Sequence, residues 1–305
     1  ADQAPHQLRV QPEAGDSLQE ETAREETVAG GPTSRPGRSS ADTTDNPLAQ
    51  VAAFPAGPGP GVFLHGLLEW AGQQGFALLA DRPELFFAEI DRQCRARGWE
   101  AWTELLKAWG LRMLTVPLPL PPNGLIAHTC ALSQLEVYQT ELEFWFASHQ
   151  VSIARLDELA RKAFPDRAGD PPRPSTTPGQ LNGMLKGFID LVFEYEGRYY
   201  ILDYKSNRLG DVADDYGPEA LRANLLSSRY DLQYLLYLLA LHRLLKSRLP
   251  DYEVSQHLGG GLYFYLRGTE APGQGVFCDC PQPEVIEALD RLFSGADQIA
   301  EEPTS

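Results

Sequence analysis

MLKGFIDLVFEYEGRYYILDYKSN, residues 184–207, is the stretch on which the reading of this chain turns. Two runs rich in aromatic and β-branched residues flank Glu196-Gly197, and that spacing predicts two antiparallel strands joined by a tight turn. Side chains two apart share a strand face, so Asp203 and Lys205 point the same way. The hairpin can bring Asp190, flanked by Ile189 and Leu191, beside Asp203. The pattern is Asp-x12-Asp-x-Lys: two carboxylates and an ammonium on one side of a sheet.

Such a trio has a chemical use. Two carboxylates offer hard oxygen ligands to Mg²⁺, which keeps open positions for water and phosphate. The ion polarises a phosphoryl oxygen and acidifies water. An ammonium beside it can hold the attacking water or offset developing negative charge. The structural alternative is an Asp190–Lys205 ion pair with Asp203 an ordinary strand-end acid, and spacing alone leaves both open.

Working outward, Gln233 and Tyr237 in YDLQYLLYLLALH are i and i+4 on one face of an apolar helix. A Gln there needs a partner: a core contact, a phosphate, or the lysine. His65 lies in GVFLHGLLEWAG, residues 61–72, whose apolar spacing is helical. Helices are also expected near 83–97, 99–114, 152–163, 217–226 and 231–248, with a closing one in PEVIEALDRLFSG. Strands are expected at 141–147 (ELEFWFA) and in GGGLYFYLRG, and a Pro-rich loop at 169–179. The order of elements indicates an α/β or α+β domain with a small mixed sheet.

The remaining composition sets bounds. The chain has 305 residues and a net charge of −16, from 26 Lys+Arg against 42 Asp+Glu. That excludes coating nucleic acid by bulk electrostatics, though not a local groove. Residues 1–53 are poor in large apolar side chains and are expected to be a disordered acidic linker. Residues 54–298 form the folded domain in this reading, and 299–305 a tail. No run is apolar enough for a membrane span. The opening ADQAPHQLRV has neither a signal-peptide pattern nor an initiator Met, so a fragment or processed product of a cytoplasmic protein is expected. Cys94, Cys130, Cys278 and Cys280 suit neither a disulfide framework nor a zinc site. Arg222, Arg229, Arg243, Lys246 and Arg248 form a basic stretch around the Gln233 helix. It is either a solvated face or a phosphate-tracking rim.

Four stretches, GVFLHGLLEWAG, LKGFIDLVFEYEGRYYILDYKSN, RYDLQYLLYLLALHRLLKSRLPDY and GGGLYFYLRG, run in the order found in the C-terminal nuclease domains of the RecB family. The chain resembles that family over roughly residues 54 to 295. The resemblance implies the PD-(D/E)XK fold, a central mixed β-sheet flanked by helices. It also implies a Mg²⁺-dependent nuclease of exodeoxyribonuclease V type, acting in double-strand break repair by recombination. By position, it makes His65, Asp190, Asp203 and the Tyr204 backbone carbonyl metal ligands and Lys205 the catalytic lysine. Gln233 and Tyr237 become the QxxxY pair near the scissile strand, and Arg229 of the basic stretch is a further candidate close to DNA. Implied partners are DNA strands delivered by a helicase portion, RecC- and RecD-like subunits, and RecA. No GxxxxGK[ST] motif is present in the chain, so ATP-driven unwinding is not expected of these residues. A docking module that recruits RecA without cutting DNA is the alternative. The intact Asp-Asp-Lys set argues against it.

Overall fold

In the computed structural model, residues 51–122, 128–269 and 274–295 are described. Among them the helices are α1 Pro58–Gln74, α2 Phe76–Asp81, α3 Pro83–Arg97, α4 Thr103–Thr115, α5 Ile153–Ala163, α6 Pro218–Ser227, α7 Tyr230–Arg248, α8 Val254–His257 and α9 Pro283–Ser294. Leu118–Pro119 (β1) and Thr129–Cys130 (β2) make a minimal antiparallel pair. The main sheet is β3 Val137–Ser152, β4 Gln180–Tyr195, β5 Arg198–Lys205, β6 Leu258–Tyr265 and β7 Val276–Asp279, in sequential order. It is mixed: β5 and β6 are parallel and the other neighbours antiparallel.

Local chemistry explains the element ends. α1, α3, α6 and α9 each begin with Pro in the first turn, where no N–H is needed and φ is already helical. Ser152 caps α5, its hydroxyl accepting from the Arg155 N–H at 3.3 Å. At the β4–β5 turn Glu196 and Gly197 both have positive φ (51° and 78°), the signature of a two-residue hairpin.

Helices cover both faces of the sheet. On one side α1–α4 pack against Leu191, Phe193, Leu202, Tyr204, Leu262 and Phe264. On the other, α5, α6, α7 and α9 pack against Ile189, Val192, Ile201, Tyr263 and Tyr265. Strand β6 is buried along its whole length, as expected of a parallel-paired strand covered on both faces.

Three expectations change. The domain starts before residue 54: Val51–Ala53 forms a 3₁₀ turn, and Val51 and Phe54 are both buried. Buried Arg267 fastens this segment, its guanidinium donating to the carbonyls of Val51, Phe54 and Pro55 at 3.2, 2.7 and 2.7 Å. The strand expected at 141–147 spans Val137–Ser152, because β4 pairs with it over nearly all that length. Strand β7, hidden in the short VFCD run, adds an edge. The linker reading of residues 1–50 and the tail at 299–305 lie outside the described residues. Among the described residues no helix is long and apolar enough to cross a membrane.

Candidate active site

The site lies where two strands part. The β4–β5 ladder runs from Tyr195↔Arg198 to Leu191↔Leu202. One step further, the Asp190 carboxylate, not a backbone carbonyl, accepts the Tyr204 N–H at 2.7 Å. That substitution ends the ladder and places Asp190 and Asp203 across the opening.

Lys205 fills the space beyond them. Its Nζ lies 2.9 Å from Asp203 Oδ2, and the two side chains are each 7% exposed. Nζ also donates to Gln233 Oε1 at 2.8 Å and stands 3.7 Å from the ring centre of Tyr230 and 4.7 Å from that of Tyr263. The Asp190–Lys205 pairing that spacing allowed is therefore not the one formed. Asp203 Oδ2 is at ion-pair distance from the ammonium, yet no hydrogen-bond donor is aligned with it.

The Gln-Tyr pair buttresses the lysine. Gln233 Oε1 takes both the lysine and the Tyr263 hydroxyl (3.1 Å), while Nε2 donates to Tyr237 Oη at 3.1 Å. The single Tyr263 hydroxyl hydrogen is shared between Gln233 Oε1 and the nearer Tyr230 carbonyl, 2.8 Å away. Of the partners open to this Gln in the sequence, the structure selects the lysine.

His65 reaches the same opening from α1, on the opposite side of the sheet from α7. Its Nδ1 is 3.6 Å from Asp190 Oδ2, and its ring meets Tyr204 edge-on at 5.9 Å. Burial pushes the imidazole below its ordinary pKa, partly opposed by Asp203 and reinforced by Lys205. A neutral imidazole is the form that binds a cation. Burial, then the neighbouring Asp203 charge, holds Asp190 well above the usual carboxylate range. His65 and Asp190 side chains keep 35% and 15% exposure, so water reaches this end of the site.

Two acids escaped the sequence reading. Glu141 takes the register position across β3–β4 from Asp190, between Thr140↔Leu191 and Leu142↔Ile189, and has φ 49°. Left-handed backbone is costly for Glu and is retained where the surroundings enforce it. Burial and the charges of Glu69 and Asp203 raise its pKa. Glu69 lies one helical turn beyond His65 on α1. The only sequence signal was an acid opening the ELEFWFA run.

Four of the five residues of the expected basic rim, Arg222, Arg229, Arg243 and Lys246, are paired within the chain. Arg229 gives its guanidinium to Asp157, to Asp231 at 3.1 Å and to the Pro174 carbonyl at 2.9 Å. Arg222 is bound by Asp170, and Arg243 and Lys246 by Asp290. Arg229 also anchors the start of α7, the helix that presents Gln233.

A divalent ion fits the donor set, a conclusion drawn from Asp203 Oδ2, buried without a hydrogen-bond donor, and from a neutral His65 beside Asp190. Among the described residues no three His, Cys, Asp or Glu side chains stand together as a group that could by itself hold a metal ion. Mg²⁺ does not require one, since it keeps waters and uses one or two carboxylates plus substrate phosphate.

Comparison with known proteins matches residues 60–303 to the PD-(D/E)XK nuclease superfamily. The chain belongs to that family. It is 40% identical over 261 residues to the RecBCD enzyme subunit RecB of Escherichia coli, covering 84% of this chain and 21% of that protein. RecB of Mycobacterium tuberculosis is 35% identical over 276 residues, covering 80% and 24%. RecB of Haemophilus influenzae is 50% identical over 115 residues, covering 37% and 10%. The chain thus spans a quarter or less of the length of these relatives. Its five-stranded mixed sheet flanked by helices is the α/β architecture expected of a PD-(D/E)XK nuclease.

Proposed function

We propose that this chain is a Mg²⁺-dependent nuclease domain that hydrolyses DNA phosphodiester bonds within a RecBCD-type helicase-nuclease. One observation carries the reading: Asp190 and Asp203 meet at the parted strands with a buried ammonium against them. Asp190, Asp203, His65 and the Tyr204 carbonyl would hold the metal. Bound there, the ion would supply Lewis-acid polarisation of a phosphoryl oxygen and lower the pKa of water.

The chain's own residues do the rest. Lys205 stands ready to hold the attacking water and to offset charge on the phosphoryl oxygens as the water oxygen bonds to phosphorus and the DNA oxygen leaves. Gln233 and the Tyr230 and Tyr263 rings keep that ammonium in place. Tyr204 N–H favours the ionised form of Asp190. The net charge of −16 suits a domain that holds strands only weakly by itself and gains from delivery by a motor. Double-strand break repair in the bacterial cytoplasm, beside RecC- and RecD-like subunits, is the setting this reading implies.

The test is cleavage of labelled single-stranded DNA by the chain with Mg²⁺, beside Asp203→Ala and Lys205→Ala. Cutting by the wild type that disappears in both variants is expected. Cutting that survives either substitution would place the chemistry elsewhere.

A further inference from the structure

Strands β3 and β4 continue well past the metal-binding end as a paired arm, with β3 its free edge. One face of this arm packs on the core through Phe144, Phe146 and Leu185. The other does not. Leu185 and Ile189 face the α7 side, so by strand alternation Met184, Lys186 and Phe188 lie on the opposite face of β4; the alternation breaks at Asp190, since Ile189 and Leu191 pack on opposite sides of the sheet. Trp145 pairs with Lys186 across the strands. Trp145 is 56% exposed and Met184 58%, unusual for side chains of that size.

The indole is held in place. Lys186 Nζ lies 4.5 Å from the Trp145 ring centre, 5.1 Å from that of Phe188, and 2.8 Å from Glu143. With Glu143 neutralising it, Lys186 serves the ring more than any phosphate. The exposed row is narrow and starts two residues from Asp190. The Trp145–Lys186 pair lies four residues along β4 from Asp190, about 14 Å at ~3.4 Å per residue. That is about four stacked nucleotides at ~3.4 Å rise per strand.

We propose that Phe188, Trp145 and Met184 form a stacking platform for the bases of a single DNA strand whose phosphate lies at the Asp190–Asp203 opening, with Trp145 the principal stacking residue. The proposal rests on the nuclease reading of that opening. Two observations favour nucleic acid over a protein on this face. The row runs along β4 to within two residues of Asp190, and it belongs to a chain whose charge leaves stacking, not phosphate attraction, as the source of affinity.

The test uses fluorescence anisotropy of a labelled oligo(dT) of about a dozen nucleotides, in EDTA so that no cleavage occurs. Wild type, Trp145→Phe and Trp145→Leu are compared at low and raised ionic strength. Loss of a stacking ring should weaken binding by about 5- to 150-fold in Trp145→Leu. The factor should be the same at both salt concentrations, and Trp145→Phe should bind nearly as wild type. Terbium binding at the metal site should be unchanged in all three proteins. Equal binding by Trp145→Leu, no binding by wild type, or a Trp145→Phe as weak as Trp145→Leu would overturn the proposal. So would self-association that Trp145→Leu abolishes while oligo(dT) binding persists, since the face would then be a protein interface. Metal binding and Asp203-dependent cutting are read separately, so a failed platform leaves the nuclease reading intact, and a failed nuclease shows in those readouts.

Discussion

Lys205→Met removes one charge and little volume. It leaves Asp203, 7% exposed, without its ammonium and still beside Asp190. Removing one partner of a buried ion pair costs about 3–5 kcal/mol, because the remaining charge is uncompensated. At roughly 2–4 °C per kcal/mol for a domain of this size, the midpoint should fall by about 6–20 °C. Chemical and thermal unfolding in metal-free buffer at neutral pH would measure it. Asp203→Asn combined with Lys205→Met should recover most of the loss, giving a coupling energy of several kcal/mol in a double-mutant cycle. A loss below about 1 kcal/mol, or a double variant no better than Lys205→Met alone, would refute the claim that Asp203 and Lys205 form an interdependent buried pair.

Other perturbations follow from the same geometry. Asp190 binds its proton more tightly folded than unfolded, so metal-free wild type loses stability as pH rises above the ordinary carboxylate range. Asp190→Asn, with no proton to lose, should therefore be more stable than wild type at neutral pH and equal to it in acid, while cleaving nothing; pH-dependent unfolding checks the sign. A divalent ion at a hundred times its Kd should stabilise wild type by about 2.7 kcal/mol, and a His65→Ala variant with tenfold weaker affinity by about half that at the same concentration; thermal shift against metal concentration reads the difference. Arg267→Met should strip the buried Phe54 carbonyl of its guanidinium donor and remove the donor to the more exposed Pro55 and Ser206 carbonyls, while Val51 keeps the Phe54 N–H. At about 1–3 kcal/mol per unsatisfied buried group, the loss should reach at least ~1 kcal/mol in urea unfolding.

Much of the site could be read from short-range pattern. The Glu196-Gly197 turn sets the hairpin register, and register with a two-residue period puts Asp203 and Lys205 on one face. Helical spacing puts Gln233 and Tyr237 one turn apart, and their hydrogen bond follows. These relations depend on neighbours within a strand or a turn, which the order of residues specifies directly.

Other features depend on residues distant in sequence. Which carboxylate takes Lys205 was settled by the parting of β4 and β5, where Asp190 accepts a backbone N–H. Arg229, Arg222 and Arg243 read as surface cations because Asp157, Asp170 and Asp290 lie 47 to 72 positions away. Glu141 faces Asp190 only through the pairing of two 16-residue strands, one of which the alternation marked over seven residues. The sequence by itself determined the chemistry available and its local spacing. The tertiary structure decided which charges neutralise one another and which remain for a metal and a phosphate, because charge pairing and desolvation depend on distance in space and not along the chain.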